Sequence, residues 1–331
     1  MGDRVFNSVW NSLLGKKKKG ELKPMMKHYL TVLLLFICVP AYAEEPSAPV
    51  SQVQSAAPAQ PSNLTLFNFF TEGWGEQWTH RETPGGAPDM ALLHVQTNFL
   101  EREFRFDYYG QHNLSNDSTR TVQFGDALIA YGLDRRFMLE VVGNYAWKNA
   151  APGGTSSDGS SGALVGRVQL VDVPGSSYAL NFRVTSPNEG IVPSGVQNNK
   201  DTTLFPALAG WQDLTSCGLK RVGLYFSLGE EEYVGPTKAG QKHRDLVYDL
   251  SLAKTWTEPT VKCFGNFTTF VEFYNTTNLD GLETGANAAN VTPGFRVTLF
   301  PKNVLMGGID LPLNTPHDFN ETYRLTYIIN F

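Results

Sequence analysis

Past its first 43 residues the sequence contains no run of eighteen consecutive apolar residues, so no helix of the mature chain can cross a bilayer. The only membrane-spanning architecture left to it is a closed β-barrel. Catalytic motifs are missing as well. There is no Gly-x-Ser-x-Gly elbow, no Asp-x-Asp calcium loop and no phosphate-cradling glycine loop. The six histidines, His28, His80, His94, His112, His243 and His317, are scattered, and only His94 falls in an expected strand facing inward. No metal-ligand cluster accompanies the three cysteines, so neither an enzyme nor a bound metal or cofactor is expected. A net charge of −5 argues against a nucleic-acid partner.

Turn formers and aromatics are abundant. With 31 glycines, 12% aromatic residues and few long helical patterns, the composition is that of an all-β chain with many turns. The most informative stretch is Glu321 to Phe331. Tyr323, Leu325, Tyr327, Ile329 and Phe331 alternate with Thr322, Arg324, Thr326 and Asn330, with Ile328 the one apolar residue on the polar face. Period two gives a strand with one apolar and one wet face. Aromatics at both ends of the apolar face suit the two interfaces of a bilayer. The pattern resembles the closing strand of bacterial outer-membrane barrels, which the barrel assembly machinery recognises.

The N-terminus is consistent with export. From Met26 a basic start (Lys27, His28) leads into an apolar run from Leu30 to Val39, then Ala41-Tyr42-Ala43, a small-x-small cleavage site. Residues 1–43 are therefore expected to be a signal peptide with an extended n-region, or a start codon placed too far upstream, with the true start at Met25 or Met26. A flexible periplasmic leader, rich in Ala, Pro, Ser and Gln, fills 44–62. The barrel is expected over 63–331.

Short and long connections alternate along that region. Fourteen strands are expected: Leu64–Thr71, Leu92–Phe99, Glu103–Gln111, Arg120–Tyr131, Arg136–Trp147, Ala163–Val173, Ser177–Thr185, Thr202–Asp213, Leu219–Glu230, Asp245–Trp256, Asn266–Thr276, Val291–Phe300, Val304–Leu313 and the terminal strand. Short periplasmic turns and longer external loops are the outer-membrane arrangement. The first strand alternates poorly, so twelve strands with the first hairpin tucked inside is the alternative.

Lipid exposure fixes the facing, because Arg or Lys at mid-bilayer costs roughly 2 to 4 kcal/mol. Phe137, Leu139, Val141, Tyr145 and Trp147 should face lipid while Glu140, Asn144 and Lys148 face in. Leu246, Tyr248, Leu250, Leu252 and Trp256 should face lipid while Asp245, Asp249 and Ser251 face in. The same rule sends Arg105, Asp107, Asp126, Arg167, Arg183, Arg221, Glu272, Arg296, Asp310 and Arg324 to the lumen. Lys254 falls on the lipid face and must snorkel to the rim. The inward charges either line a conducting path or pair with one another to fill the barrel. Cys217 and Cys263 fall in periplasmic turns, where disulfides form. They sit two strands apart, about 10 Å, so the expected rim disulfide requires the Thr257–Gly265 turn to fold across; two free thiols is the alternative.

Val291-Thr292-Pro293-Gly294-Phe295-Arg296, the strand Met306-Gly307-Gly308-Ile309-Asp310-Leu311-Pro312-Leu313 and the closing Tyr323 to Phe331 resemble the phenol meta-pathway degradation transporters, in the long-chain fatty acid transporter class. The resemblance lies mostly in the C-terminal third. It implies passive uptake of small, apolar or aromatic molecules across the outer membrane of a Gram-negative-type bacterium, with membrane lipid and the solute as partners. A general porin for polar solutes, or a non-conducting barrel whose loops bind a partner, are the competing expectations. The facing rule is testable: Leu250→Arg should impair insertion and Ser251→Arg should be tolerated, as read by heat-modifiable gel migration. Equal behaviour of the two variants would mean that the register of this strand is wrong.

Overall fold

The computed structural model describes residues 62–79, 85–114, 117–150, 154–187, 201–235, 244–282, 284–314 and 319–331, the side chains of 112–124 and 145–160 excepted. The expected signal peptide and nearly all of the leader lie outside these residues, as do the side chains of Tyr145, Trp147 and Lys148. Twelve strands form one closed antiparallel barrel in which every strand pairs with its sequence neighbours. They are β1 (Arg102–Leu114), β2 (Asp117–Gly132), β3 (Phe137–Ala150), β4 (Gly154–Val173), β5 (Ser176–Thr185), β6 (Thr202–Asp213), β7 (Val222–Val234), β8 (Arg244–Thr255), β9 (Gly265–Asn278), β10 (Asn287–Phe300), β11 (Asn303–Pro312) and β12 (Glu321–Asn330).

The seam runs antiparallel from Glu103 opposite Asn330 to His112 opposite Glu321. Closure leaves no edge, so the wall's backbone polar groups pair within the sheet, as the bilayer demands. At the foot of the seam Phe331 packs on Phe104 at 5.1 Å and on Tyr131 at 6.3 Å between ring centroids.

Alternation decides which face each side chain takes. On β8, Asp245, Val247, Asp249, Ser251, Ala253 and Thr255 are buried inside, while Leu250 and Leu252 are exposed outside. Ser251 stands opposite Glu272 on β9 and faces the lumen. Leu139 and Val141 face out, with Glu140 behind them. Phe104, Phe106, Phe182, Leu180 and Leu325 continue the apolar belt around the barrel. Lys254 does lie on this face. Its ammonium bends to the carbonyl of Lys220 in the β6–β7 turn and sits 5.6 Å from the Trp256 ring, which takes the charge to the rim.

The barrel is closed and antiparallel as expected, and it has the twelve strands of the alternative rather than fourteen. Of Leu64–Thr71 only Leu64 joins the sheet, through a single bridge to Asp172 at the end of β4. Leu92–Phe99 is not a strand; Leu92, Leu93, Val95 and Asn98 are buried inside the barrel, and its apolar residues pack against the inner faces of β6, β7, β8, β9, β11 and β12. Pro84, Gly85, Gly86 and Pro88 precede it, and Met90 to Leu93 is a continuous apolar run with no wet face to offer. An element apolar on all sides belongs in a core.

Candidate functional site

The inner segment, residues 85–100, is the central feature of the lumen. Met90, Ala91, Leu92, Leu93 and Val95 pack against Trp211, Tyr225, Ala253, Phe270, Val304, Met306 and Ile328. Ile328, the apolar exception on the wet face of the last strand, is 1% exposed and belongs to this contact. Gly308 leaves the room for it: a Cβ there would come within 2.6 Å of the Leu93 side chain. Burying each Leu or Met in this way contributes about 1.5 to 3 kcal/mol.

That gain is of the same size as the cost of one buried, unpaired backbone group, about 1 to 3 kcal/mol. A segment outside the sheet must therefore find partners for its own N–H and C=O groups on the wall. The Glu272 carboxylate, 0% exposed, accepts three consecutive N–H groups, from Leu93, His94 and Val95, each at 3.2 Å. Successive amides turned on one anion form a nest. Around it Gln96 N–H donates to Ser227 Oγ at 3.3 Å, Asn181 donates to the Thr97 carbonyl at 3.0 Å, and Ser177 to that of Asn98 at 3.3 Å. The Tyr225 hydroxyl donates to Pro88 at 2.6 Å and Arg167 to Phe99 at 2.7 Å.

At the apex, His94 Nε2 lies 2.9 Å from Asp310 and its ring stacks on Tyr274 at 4.9 Å. Asp310 also accepts from Thr292 at 2.8 Å and from Arg324 Nε at 2.6 Å, and the Arg324 guanidinium lies over the Tyr109 ring at 4.5 Å. The histidine expected in an inward-facing strand therefore does lie in the lumen, carried there by the inner segment.

The other inward charges fall into pairs and short chains. Arg105 Nε holds both oxygens of Asp107 at 3.0 and 2.8 Å, and Asp107 also accepts from Thr326. Arg167 lies 3.6 Å from Glu140 and 3.7 Å from Glu101. Asp126 faces Asp107, Arg183 and the Tyr109 hydroxyl. Asp249 accepts from Ser227, and the Tyr233 hydroxyl stands 3.0 Å from Asp245 and 3.1 Å from Glu231. Arg296 faces Tyr225, Glu103 and Glu101, and its Nε has no hydrogen-bond partner among the described residues. Arg221 departs from expectation. It sits in the turn before β7, at a φ of 56°, and binds Glu258 at 2.6 Å and the Thr257 carbonyl at 2.8 Å on the rim. The expected disulfide is also absent: Cys217, in the short 3-10 turn Thr215–Cys217, and Cys263, in the β8–β9 turn, are free and exposed.

Sequence reasoning missed Arg136, at 0% exposure among the most buried side chains in the molecule. From the β2–β3 turn its guanidinium donates to the carbonyls of Glu72, Gln169, Leu170, Thr65 and Asn68. Two adjacent arginines in so short a turn were the available signal. Beside it, Glu76 is held below the usual carboxylate range by the Gly73 N–H and by Arg135, which donates to it at 2.8 Å.

These features define an outer-membrane β-barrel of porin-like build, its lumen occupied by its own N-terminal segment. No family model and no curated protein matches the sequence. Among solved structures, the chain is similar to an outer membrane channel from Pseudomonas putida F1, with a TM-score of 0.55 at 12% identity over 73% of this chain and 100% of that one. The KdgM porin follows at 0.45 and 11% identity, over 69% of this chain and 99% of that one. The NanC porin gives 0.47 and 10%, with the same coverage. At these identities the likeness is one of fold.

Two outcomes follow from the anchoring. Glu272→Ala leaves three amides unpaired, so exchange of the Leu93–Val95 amides should accelerate on the order of 30-fold, equivalent to about 2 kcal/mol, in hydrogen exchange of the folded barrel; unchanged protection would remove Glu272 from the anchor. Asp89, enclosed in the mouth and bound by Asn98 at 2.9 Å, is pushed well up by burial. The folded state then holds this proton more tightly than the unfolded chain. Its contribution is full at low pH and is lost as pH rises through the raised value. Cleavage of the segment by protease should increase toward alkaline pH, and Asp89→Asn should flatten that dependence.

Proposed function

We propose that this protein is an outer-membrane channel for passive uptake of small, apolar or aromatic molecules, with the inner segment as its gate. One observation carries the reading. Between the polar groups that hold its backbone, the wall behind the segment carries a continuous apolar and aromatic patch, formed by Trp211, Tyr225, Phe270, Met306 and Ile328, whereas a water-filled pore is lined by polar groups. Withdrawal of the segment therefore uncovers an apolar stripe along one side of the lumen. The polar bonds that hold it are individually modest and exchangeable with water. The resemblance of Val291–Arg296 and Met306–Leu313 to the phenol meta-pathway degradation transporters supports the same solute class. The alternation along β12, with aromatic residues at both ends of its apolar face, supports recognition by the barrel assembly machinery. No catalytic role is assigned to any residue.

A general porin is the second reading, favoured by the charges Asp126, Arg183, Asp245 and Asp249 on the inner wall. Planar-bilayer recording and solute uptake into liposomes separate the two. Folded wild-type protein should conduct little steady ion current and should admit a small phenol faster than a sugar of similar size. A double variant, Glu272→Ala with His94→Ala, should raise the current. Steady wild-type conductance that the double variant leaves unchanged, with the sugar entering as fast as the phenol, would establish an open polar pore instead.

A further inference from the structure

The segment preceding the inner one carries the most exposed aromatic side chains of the described molecule. Phe67 is 102% exposed and Phe70 89%, against 42% for Phe104 and 49% for Leu250 in the lipid-facing belt. Leu66 and Trp74 are exposed beside them. These rings are not on a loose loop. Asn68 accepts from Thr65 N–H at 2.7 Å and donates to the Asn63 carbonyl and to Glu72 at 2.9 and 2.8 Å. The buried Arg136 gathers the carbonyls of Thr65, Asn68 and Glu72, and stands 5.1 Å from the Phe69 ring. Trp74 packs edge-on to Phe69 and donates to its carbonyl at 2.6 Å. A buried cation thus fixes a turn whose outer surface is hydrophobic, an arrangement with no benefit in water.

Its place in the wall indicates what covers it. β4 pairs with β3 only as far as Val168, yet continues to Val173. Along that overhang Leu64 takes the position β3 has vacated and exchanges both hydrogen bonds with Asp172. The turn at Leu66–Phe70 is therefore a direct extension of the barrel wall. Gly75 N–H is tied at 3.0 Å to Asp134, next to Leu133, an exposed residue at the lower border of the belt. Charge agrees with this placement. The β2–β3, β6–β7, β8–β9 and β10–β11 turns all carry ionic residues, such as Asp134, Lys220, Lys262 and Lys302, whereas Ser62 to Thr71 carries none.

We propose that Leu66, Phe67, Phe70 and Trp74 form a membrane foot, which inserts into the phospholipid of the periplasmic leaflet beside the β2–β3 turn. Its apolar rings enter the headgroup and acyl boundary, where an amphipathic surface element gains its binding energy. This surface is independent of the solute path. It holds the chain at the barrel mouth shortly before that chain turns into the lumen.

The test uses the full chain with its native cysteines changed to serine and a nitroxide on Phe70→Cys, reconstituted alone into phospholipid vesicles. Lys302→Cys, in the β10–β11 turn, serves as the water-exposed reference. The foot requires collisions with oxygen to outnumber those with a water-soluble nickel reagent severalfold at Phe70, with the reverse at Lys302. Equal nickel access at the two sites would overturn it and leave the patch to a protein partner. Spin–spin broadening would overturn it in favour of a second copy. Phe67→Cys provides the same reading if the first variant does not fold, with heat-modifiable migration confirming the barrel in each case.

Discussion

The barrel wall and the segment inside it answer one requirement, that backbone polar groups removed from water must be paired. In the wall the requirement is met by closure. The ten residue pairs between β1 and β12 remove the last edge, and the apolar belt can then face lipid. Inside, the requirement falls on an irregular segment that has no strand beside it. There, side chains of the wall take the role a neighbouring strand would have played, with Glu272 holding three amides and Arg167, Asn181 and Tyr225 holding carbonyls. The lumen is polar at these points because the segment's backbone is polar, and apolar at Trp211, Phe270, Met306 and Ile328 because its side chains are.

This division also sorts the inward charges. Arg105 with Asp107 and Arg324 with Asp310 are wall-to-wall pairs, and each is extended by a hydroxyl, from Thr326 or Thr292. Glu272 and Arg167 serve the inner segment directly. Isolated charges in so enclosed a space would be costly. Most of these groups are consequently bound up in holding the barrel's interior together.

The sequence was legible wherever one face met lipid. Leu246 to Trp256 and Tyr323 to Phe331 gave facing and register because period two against a bilayer leaves few alternatives. Legibility failed where both sides were protein. Leu92 to Phe99 is about as apolar and as long as a strand, and only the glycines and prolines ahead of it hint otherwise. Ile328 on the wet face was the visible trace of the segment, since an apolar residue aimed into a lumen needs an apolar neighbour. The disulfide expectation rested on compartment and spacing. The turns hold Cys217 and Cys263 as separate, exposed thiols. Arg136 left only its adjacency to Arg135 as a trace, because its five carbonyl partners come from chain distant in sequence.

The inner segment has a consequence for the order of assembly. Val95 meets Glu272 across 177 residues of chain, and His94 meets Asp310 across 216. Contacts of such span form late and slowly, because their loop-closure entropy must be met before they stabilise anything. The filled lumen and the β1–β12 seam both depend on strands that emerge last. Until β9, β11 and β12 arrive, the chain's early apolar run has no enclosure, and a nascent barrel of this kind must be kept from collapsing on its own first hundred residues.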